Sequence, residues 1–156
     1  MRWHYRDPPL VWLFVVAYAM HLAEEFFGGF PEWFAFIAGE RLPRDAFVII
    51  NLTALAVMAA AAHAATRRES LGWLAIAIAT VVSVNGLAHL LGSLVSAGYS
   101  PVLVTGVVLY LPLGMLALLR AWHHVAPAFF WRGVVAGLAA HAVVVLIALS
   151  TAITAP

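Results

Sequence analysis

A histidine and two glutamates lie close together near residue 21, within a segment that is otherwise apolar. In a helix that turns about 100° per residue, Glu24 and Glu25 fall roughly 60° and 40° to either side of His21, so all three share one face. Ionisable side chains within apolar helices are costly to bury and are usually functional. Imidazole and carboxylate groups are suitable ligands for Zn²⁺, Fe or Mn²⁺. The residue types and their spacing therefore indicate a metal site.

A second polar pair falls on a later apolar segment, where Asn85 and His89 are spaced by one helical turn. Counting about 1.5 Å per residue from the centre of each predicted helix places this pair at the same depth as the first cluster. We therefore expect the two groups to meet. The predicted metal ligands are His21, Glu24, Glu25 and His89, and the catalytic candidates among them are Glu24 and Glu25. Asn85 is expected to orient His89 or to bind weakly.

The sequence leaves open whether this cluster binds a metal ion. In a metal-free alternative the glutamates pair with the histidines, and one carboxyl is kept protonated by its low-dielectric surroundings. Cysteine is absent, which excludes thiolate ligands and cysteine catalysis. Nothing indicates an organic cofactor. On the last apolar segment, His141 continues the line of Gly133 and Gly137, so it is predicted to face the interior below the main cluster and is a candidate for contact with a bound cofactor.

The elements that must position these residues are set by an unusually apolar composition. The chain has 156 residues, of which 65% are hydrophobic and 10% charged, and its mean hydropathy is +0.99. A soluble domain is nearer 45–50% apolar and about 25% charged, so the composition excludes a water-soluble globular protein. With so few charges there is no basic surface for nucleic acid, and we expect no nucleic-acid partner.

Charged or Pro/Gly-marked breaks divide the chain into five apolar segments. We predict an all-α, polytopic transmembrane helix bundle that forms a single domain over residues 1–156. The predicted helices cover residues 10–28, 45–66, 70–97, 101–123 and 130–154. The aromatic segment 30–36 is too short and too polar to span, and it predicts a short interfacial helix or a re-entrant turn.

The arginines predict the orientation of the bundle. Six fall on one side, namely Arg2, Arg6, Arg67, Arg68, Arg120 and Arg132. Two fall on the other, Arg41 and Arg44. By the positive-inside rule, the N-terminus is predicted in the cytoplasm and the C-terminus outside, and the His/Glu cluster then lies in the outer half. We expect the protein in a bacterial cytoplasmic (inner) membrane.

Two ordered motifs carry a family resemblance. Residues 21–25 read H-x-x-E-E, a Phe/Pro/Trp stretch follows, and N-x-x-x-H at 85–89 precedes Tyr-Ser-Pro-Val-Leu-Val-Thr at 99–105. Over roughly residues 10–115 the chain resembles the HXXEE family of small integral membrane proteins. The resemblance implies one site formed by His21, Glu24, Glu25, Asn85, His89, Tyr99, Pro101 and Thr105. Tyr99 and Thr105 thereby join Asn85 and His141 as residues predicted to contact a cofactor.

The chain departs from the family pattern in two places. Val102 stands where the pattern has glycine, which suggests that the start of the fourth helix packs less closely here. A His-Glu pair associated with the middle of the family pattern is also missing. The family supplies no established function, so the resemblance implies a site and not a reaction.

Three classes of function fit these residues. The first is a metal-dependent intramembrane enzyme, a hydrolase or oxidoreductase, that acts on an apolar or lipid-like small molecule. The second is a proton-coupled transporter or relay. The third is an accessory structural subunit of a larger membrane complex, in which a metal-free cluster joins helices and the Gly133-x-x-x-Gly137 stripe is exposed for a partner. Membrane lipid is the expected surrounding in all three.

Overall fold

The long apolar segments fold into helices, as their composition predicts. The computed structural model describes residues 5–154, so Arg2 lies outside the described part of the chain. The helices are α1 (Pro8–Gly28), α2 (Phe30–Ala38), α3 (Arg44–Arg67), α4 (Trp73–Val95), α5 (Leu103–Thr105), α6 (Leu111–His124) and α7 (Pro127–Thr154), with a 3₁₀ turn at Glu69–Leu71 and a π-helical turn at Gly106–Tyr110. Within residues 5–154 there is no strand.

Five stretches are long and apolar enough to cross a membrane. They are Pro8–Gly28, Arg44–Arg67, Glu69–Val95, Leu103–His124 and Pro127–Thr154. The all-helical fold and the number of potential spans are confirmed, and each predicted boundary lies within a few residues of the observed one. The side of the membrane on which each terminus lies stays a prediction.

The aromatic segment between α1 and α3 forms the short helix α2, which was one of its two predicted forms. Gly29 and Gly39 flank it with φ of 75° and 80°, values that suit glycine because it lacks a Cβ atom. Glu32 on α2 accepts hydrogen bonds from Arg41 at 2.7 Å and Arg44 at 3.1 Å. A hydrogen bond from its own backbone, together with these arginines, lowers the pKa of the Glu32 carboxyl. These contacts tie α2 to the start of α3.

The glycine stripe of α7 packs against α4. A Cβ atom added to Gly133 would lie 2.6 Å from the Cβ of Ile76, and one added to Gly137 would lie 2.6 Å from the carbonyl oxygen of Ala77. Such distances are possible only when glycine lets the two backbones approach closely. The stripe is buried within the chain, so it is not the exposed face that the accessory-subunit hypothesis expects.

The chain between α5 and α6 is wound as a π-helical turn. Leu111 donates its N–H to the carbonyl of Gly106, five residues earlier, where an α-helix would bond four residues earlier. Pro112 follows at once and has no N–H to donate, so it cannot form the α-helical hydrogen bond to the carbonyl of Val108. The π-helical turn changes the local winding of the helix and places Tyr110 in the interior, where this residue is 1% exposed.

The connection from α4 to α5 is closed by a tight turn at Ser100–Leu103. Leu103 donates its N–H to the Ser100 carbonyl at 3.0 Å, and Val102 has φ 74° and ψ 12°. Because Pro101 precedes Val102, these angles describe a type II turn. The third residue of such a turn requires positive φ and is usually glycine. Val102 is 0% exposed. The expectation of looser packing at this position is therefore wrong, because glycine suits the site for its backbone conformation and not for its size.

The turn predicts an unusual order of stability for substitutions at Val102. We expect Val102→Gly to be more stable than Val102→Ala by about 1 kcal/mol, because alanine keeps the Cβ that positive φ disfavours. At Val104, which is helical and exposed, the order should reverse. Chemical denaturation of the four variants in detergent measures both orders. A more stable alanine variant at both positions would contradict the turn assignment.

Candidate metal centre

Three of the four predicted ligands meet in the bundle interior. His21 and Glu25 lie one turn apart on α1, and His89 faces them from α4; they are 0%, 5% and 6% exposed. The Nε2 atom of His21 lies 3.9 Å from the Glu25 Oε1 atom, and the Nε2 atom of His89 lies 3.8 Å from the same oxygen. One ligand atom from each residue lies within 4.8 Å of the other two. We call these three residues the triad.

The other ring nitrogen of His89 is held by a buried serine. The Nδ1 atom of His89 lies 3.3 Å from the hydroxyl oxygen of Ser100, and this hydroxyl donates to the carbonyl of Pro101 at 3.2 Å. With the serine proton donated to the Pro101 carbonyl, the serine oxygen accepts the Nδ1 proton of the imidazole. The Nε2 atom of His89 is left with a lone pair that faces Glu25.

His21 is arranged in the same way by a threonine. Its Nδ1 atom lies 2.8 Å from the Thr105 hydroxyl oxygen, and this hydroxyl is also within reach of the Glu24 carboxylate. Because a carboxylate only accepts, the hydroxyl proton points to Glu24 and its oxygen accepts from His21. The Nε2 atom of His21 is then the unprotonated one. Both imidazoles are therefore held in the tautomer that can bind a metal.

Several buried polar atoms around the triad lack hydrogen-bond partners within residues 5–154. They are His21 Nε2, Glu25 Oε2, Trp33 Nε1, Asn85 Oδ1 and Tyr110 Oη. Buried polar atoms in folded proteins are nearly always hydrogen-bonded or bound to an ion or water. The donor set of two imidazole nitrogens and one carboxylate suits Zn²⁺, Fe or Mn²⁺. The residues present therefore fit a divalent metal ion.

Glu24 is next to the triad but not part of it, and it binds the start of α5. Its carboxylate accepts the N–H groups of Val104 at 3.2 Å and Thr105 at 2.8 Å, at a helix start where backbone donors are free. Tyr99 donates its hydroxyl to the same carboxylate at 2.5 Å. Burial and the adjacent Glu24 raise the pKa of Tyr99 to about 12, so this hydroxyl keeps its proton at neutral pH.

The remaining predicted residues lie around the triad. Asn85 is half-buried on α4, one turn from His89; its side chain interacts with the His21 imidazole, whereas the hydrogen-bond partner of His89 is Ser100. His141 is also half-buried; it interacts electrostatically with His89 but is not part of the triad. Tyr99 and Thr105 act through Glu24 and His21, so their contacts are with ligands or with the turn.

Four residues near the triad were not among the predicted site residues. Ser100 is the partner of His89. Tyr110 stacks on the His21 ring, with centroids 4.1 Å apart and planes at 16°. Phe30 and Trp33 of α2 lie 5.8 and 6.0 Å from the His89 ring. The available signals were the Phe/Pro/Trp stretch after the first motif, a serine inside the second motif and a tyrosine two residues before Pro112.

The hydroxyl of Thr105 gives a test of the histidine arrangement. We expect Thr105→Val, which keeps the shape but removes the oxygen, to weaken metal binding roughly 10–100-fold without abolishing it, because His21 loses the group that fixes its tautomer. Thr80→Val is the matched control, since the Thr80 hydroxyl bonds the carbonyl of Ile76 in its own helix. Metal affinity by competition with a chelator measures the change. Equal affinities for the two variants would contradict the role assigned to Thr105.

Comparison with known proteins gives one match. A family model described as a protein of unknown function with HXXEE motif matches residues 12–117. No curated protein and no solved structure matches. The matched range contains the triad, Glu24 and the turn at Ser100–Leu103, and it ends before α7.

Proposed function

Because the chain belongs to the HXXEE family, whose members are described only by their motif, we propose a function from the geometry of the site. The protein is an integral membrane protein that binds a divalent metal ion at His21, Glu25 and His89. It uses this ion as an enzyme, a hydrolase or an oxidoreductase, on an apolar or lipid-like substrate.

The spacing within the triad carries the proposal. Hydrogen bonds between imidazole and carboxylate bring nitrogen and oxygen to about 2.7–3.2 Å, whereas both Nε2 atoms stay 3.8 and 3.9 Å from Glu25 Oε1. Ligand atoms about 2.0–2.1 Å from a tetrahedral ion lie roughly 3.4 Å apart. Both nitrogen–oxygen distances are thus longer than a hydrogen bond and would shorten by about half an ångström around an ion, and the third ligand pair lies within 4.8 Å. This spacing favours the metal over the metal-free alternative.

The number of ligands supports a catalytic role. Structural zinc sites usually have four protein ligands, whereas catalytic sites have three and keep one position open for water or substrate. Two histidines and one glutamate are one of the known catalytic combinations. A metal ion in such a site supplies a Lewis acid to a bound oxygen atom. Glu24, whose carboxylate is engaged by the turn, acts here as a positioning residue.

The surroundings of the triad support an apolar substrate. Aromatic side chains of α2 and of the π-helical turn form its walls. An open groove of about 320 Å³ between α1 and α3 is lined by apolar residues that include Leu22, Phe26 and Val48. At 100° per residue, the groove residues of α1 lie on the face of the helix opposite His21, so the groove does not open onto the triad. The support for an apolar substrate therefore comes from the aromatic walls of the triad.

Elemental analysis of the purified protein tests the proposal. We expect the parent protein in detergent to contain about one divalent metal ion per chain, and His21→Ala to contain much less, because a three-ligand site cannot hold an ion with two. His63→Ala is the matched control, since His63 is exposed on α3. The metal site would be contradicted if the parent contained no metal after loading. It would also be contradicted if the parent and His21→Ala contained equal amounts.

A further inference from the structure

Tyr110 has a buried hydroxyl that the triad does not use. We propose that this hydroxyl donates a hydrogen bond to the molecule that occupies the open position of the metal, and that this molecule presents an accepting atom there, as a carbonyl compound or a small anion does. The inference rests on the proposed metal site and adds the class of ligand to it.

The position of Tyr110 is fixed by its ring and not by its hydroxyl. The ring stacks on His21 at 4.1 Å, and its Cβ atom packs close to Gly86, where an added Cβ would lie 3.1 Å away. The whole residue is 1% exposed. Yet its hydroxyl has no hydrogen-bond partner within residues 5–154. A buried phenol that is held so closely usually has a partner for its hydroxyl.

A second tyrosine of the same interior shows the difference. Tyr18 is one turn before His21 on α1, and its hydroxyl donates to the Asn51 side-chain oxygen at 2.8 Å. Asn51 in turn donates to the carbonyl of Phe47 at 3.1 Å. The hydroxyl of Tyr18 is therefore fully used by the fold, whereas that of Tyr110 is available to a ligand.

The unpartnered atoms nearby define what the ligand must be. Tyr110 interacts electrostatically with Glu25, whose Oε2 atom is also without a partner. The phenol is a donor of this group, as is the Trp33 indole N–H beside His89, whereas Glu25 Oε2 and Asn85 Oδ1 are acceptors. A ligand with an oxygen or nitrogen lone pair satisfies the donor and the metal at once. A purely apolar molecule satisfies neither.

The test uses Co²⁺ as the metal and azide as the ligand. Co²⁺ reports its own coordination by visible absorption, and azide binding at the open position changes that spectrum. We expect the parent, Tyr110→Phe and the control Tyr18→Phe all to bind Co²⁺. Azide affinity should fall about tenfold in Tyr110→Phe, which loses one hydrogen bond to a charged group, and should stay unchanged in Tyr18→Phe.

The outcomes separate this inference from the proposed function. Co²⁺ binding with equal azide affinity in the parent and Tyr110→Phe overturns the inference alone. Failure of the parent to bind Co²⁺ overturns the metal site and the inference with it. If Tyr110→Phe does not fold, the tyrosine ultraviolet absorption of Co²⁺-loaded Tyr18→Phe is measured before and after azide is added. A change in the tyrosine absorption supports the inference, and an unchanged absorption overturns it.

Discussion

Glu25→Gln is expected to lower metal affinity by more than about 100-fold, because the variant loses a ligand and its negative charge together. Glu25 is the only carboxylate of the triad and is 5% exposed. A divalent ion would then sit in a low-dielectric interior with one negative charge fewer to balance it, and only Glu24 nearby would remain to do so. Elemental analysis after loading with Zn²⁺ or Mn²⁺ measures the loss.

The same variant distinguishes the metal from the metal-free network. Glutamine has nearly the shape of a protonated glutamic acid and can donate and accept hydrogen bonds. In a network with a neutral Glu25, Glu25→Gln should therefore melt at the same temperature as the parent. Glu40→Gln, a charge-matched change at an exposed residue, controls for the loss of a carboxylate. If Glu25→Gln has the melting temperature of the parent and the parent contains no metal, the metalloenzyme is ruled out.

Gly137→Ala is expected to destabilise the fold by about 1–3 kcal/mol, through overpacking between α7 and α4. The added Cβ would lie 2.6 Å from the carbonyl oxygen of Ala77 and 2.7 Å from the Cβ of Thr80. Neither atom is the end of a flexible side chain, so backbone must move. Alanine is the better helix former by about 1 kcal/mol, which makes a loss of stability a direct sign of the clash.

The control for this substitution is Gly98→Ala. A Cβ added to Gly98 would lie 3.7 Å from the Ser96 carbonyl oxygen, which is an ordinary contact. Unfolding in a graded detergent mixture compares both variants with the parent. A Gly137→Ala protein as stable as the parent would contradict the close packing of α7 on α4.

The helices and the main ligands were predictable because they depend on local patterns. Apolar length and Pro/Gly breaks indicated the five spans, which the helix bounds bear out. The four-residue spacings within each helix placed His21 with Glu25 and Asn85 with His89 on common faces. The match in depth between the two helices then correctly brought His21 and His89 together, with ring centroids 5.2 Å apart.

The separate roles of the two glutamates could not be predicted from periodicity. Glu24 and Glu25 differ by one position and lie on either side of His21, so both share its face. What separates them is the start of α5, where the N–H groups of Val104 and Thr105 donate to the carboxylate of Glu24. This segment meets α1 only in the folded chain, and the Val104 contact joins residues eighty positions apart.

The surroundings of the triad likewise depend on tertiary structure. Tyr110 reaches His21 because a π-helical turn adds a residue to the helix before Pro112, and a regular helix would place it elsewhere. Trp33 is typical of an interface anchor by sequence, yet it lies over Gly92, where an added Cβ would be 2.7 Å from its ring. Only the absence of a side chain on α4 lets α2 approach the site.

X-ray absorption at the metal edge of the loaded parent protein reports the atoms bound to the ion. We expect two imidazole nitrogens and one carboxylate oxygen at about 2.0–2.2 Å, supplied by His21, His89 and Glu25. A spectrum without imidazole scattering, or with the oxygen ligands of an ion bound only at the surface, would contradict this coordination.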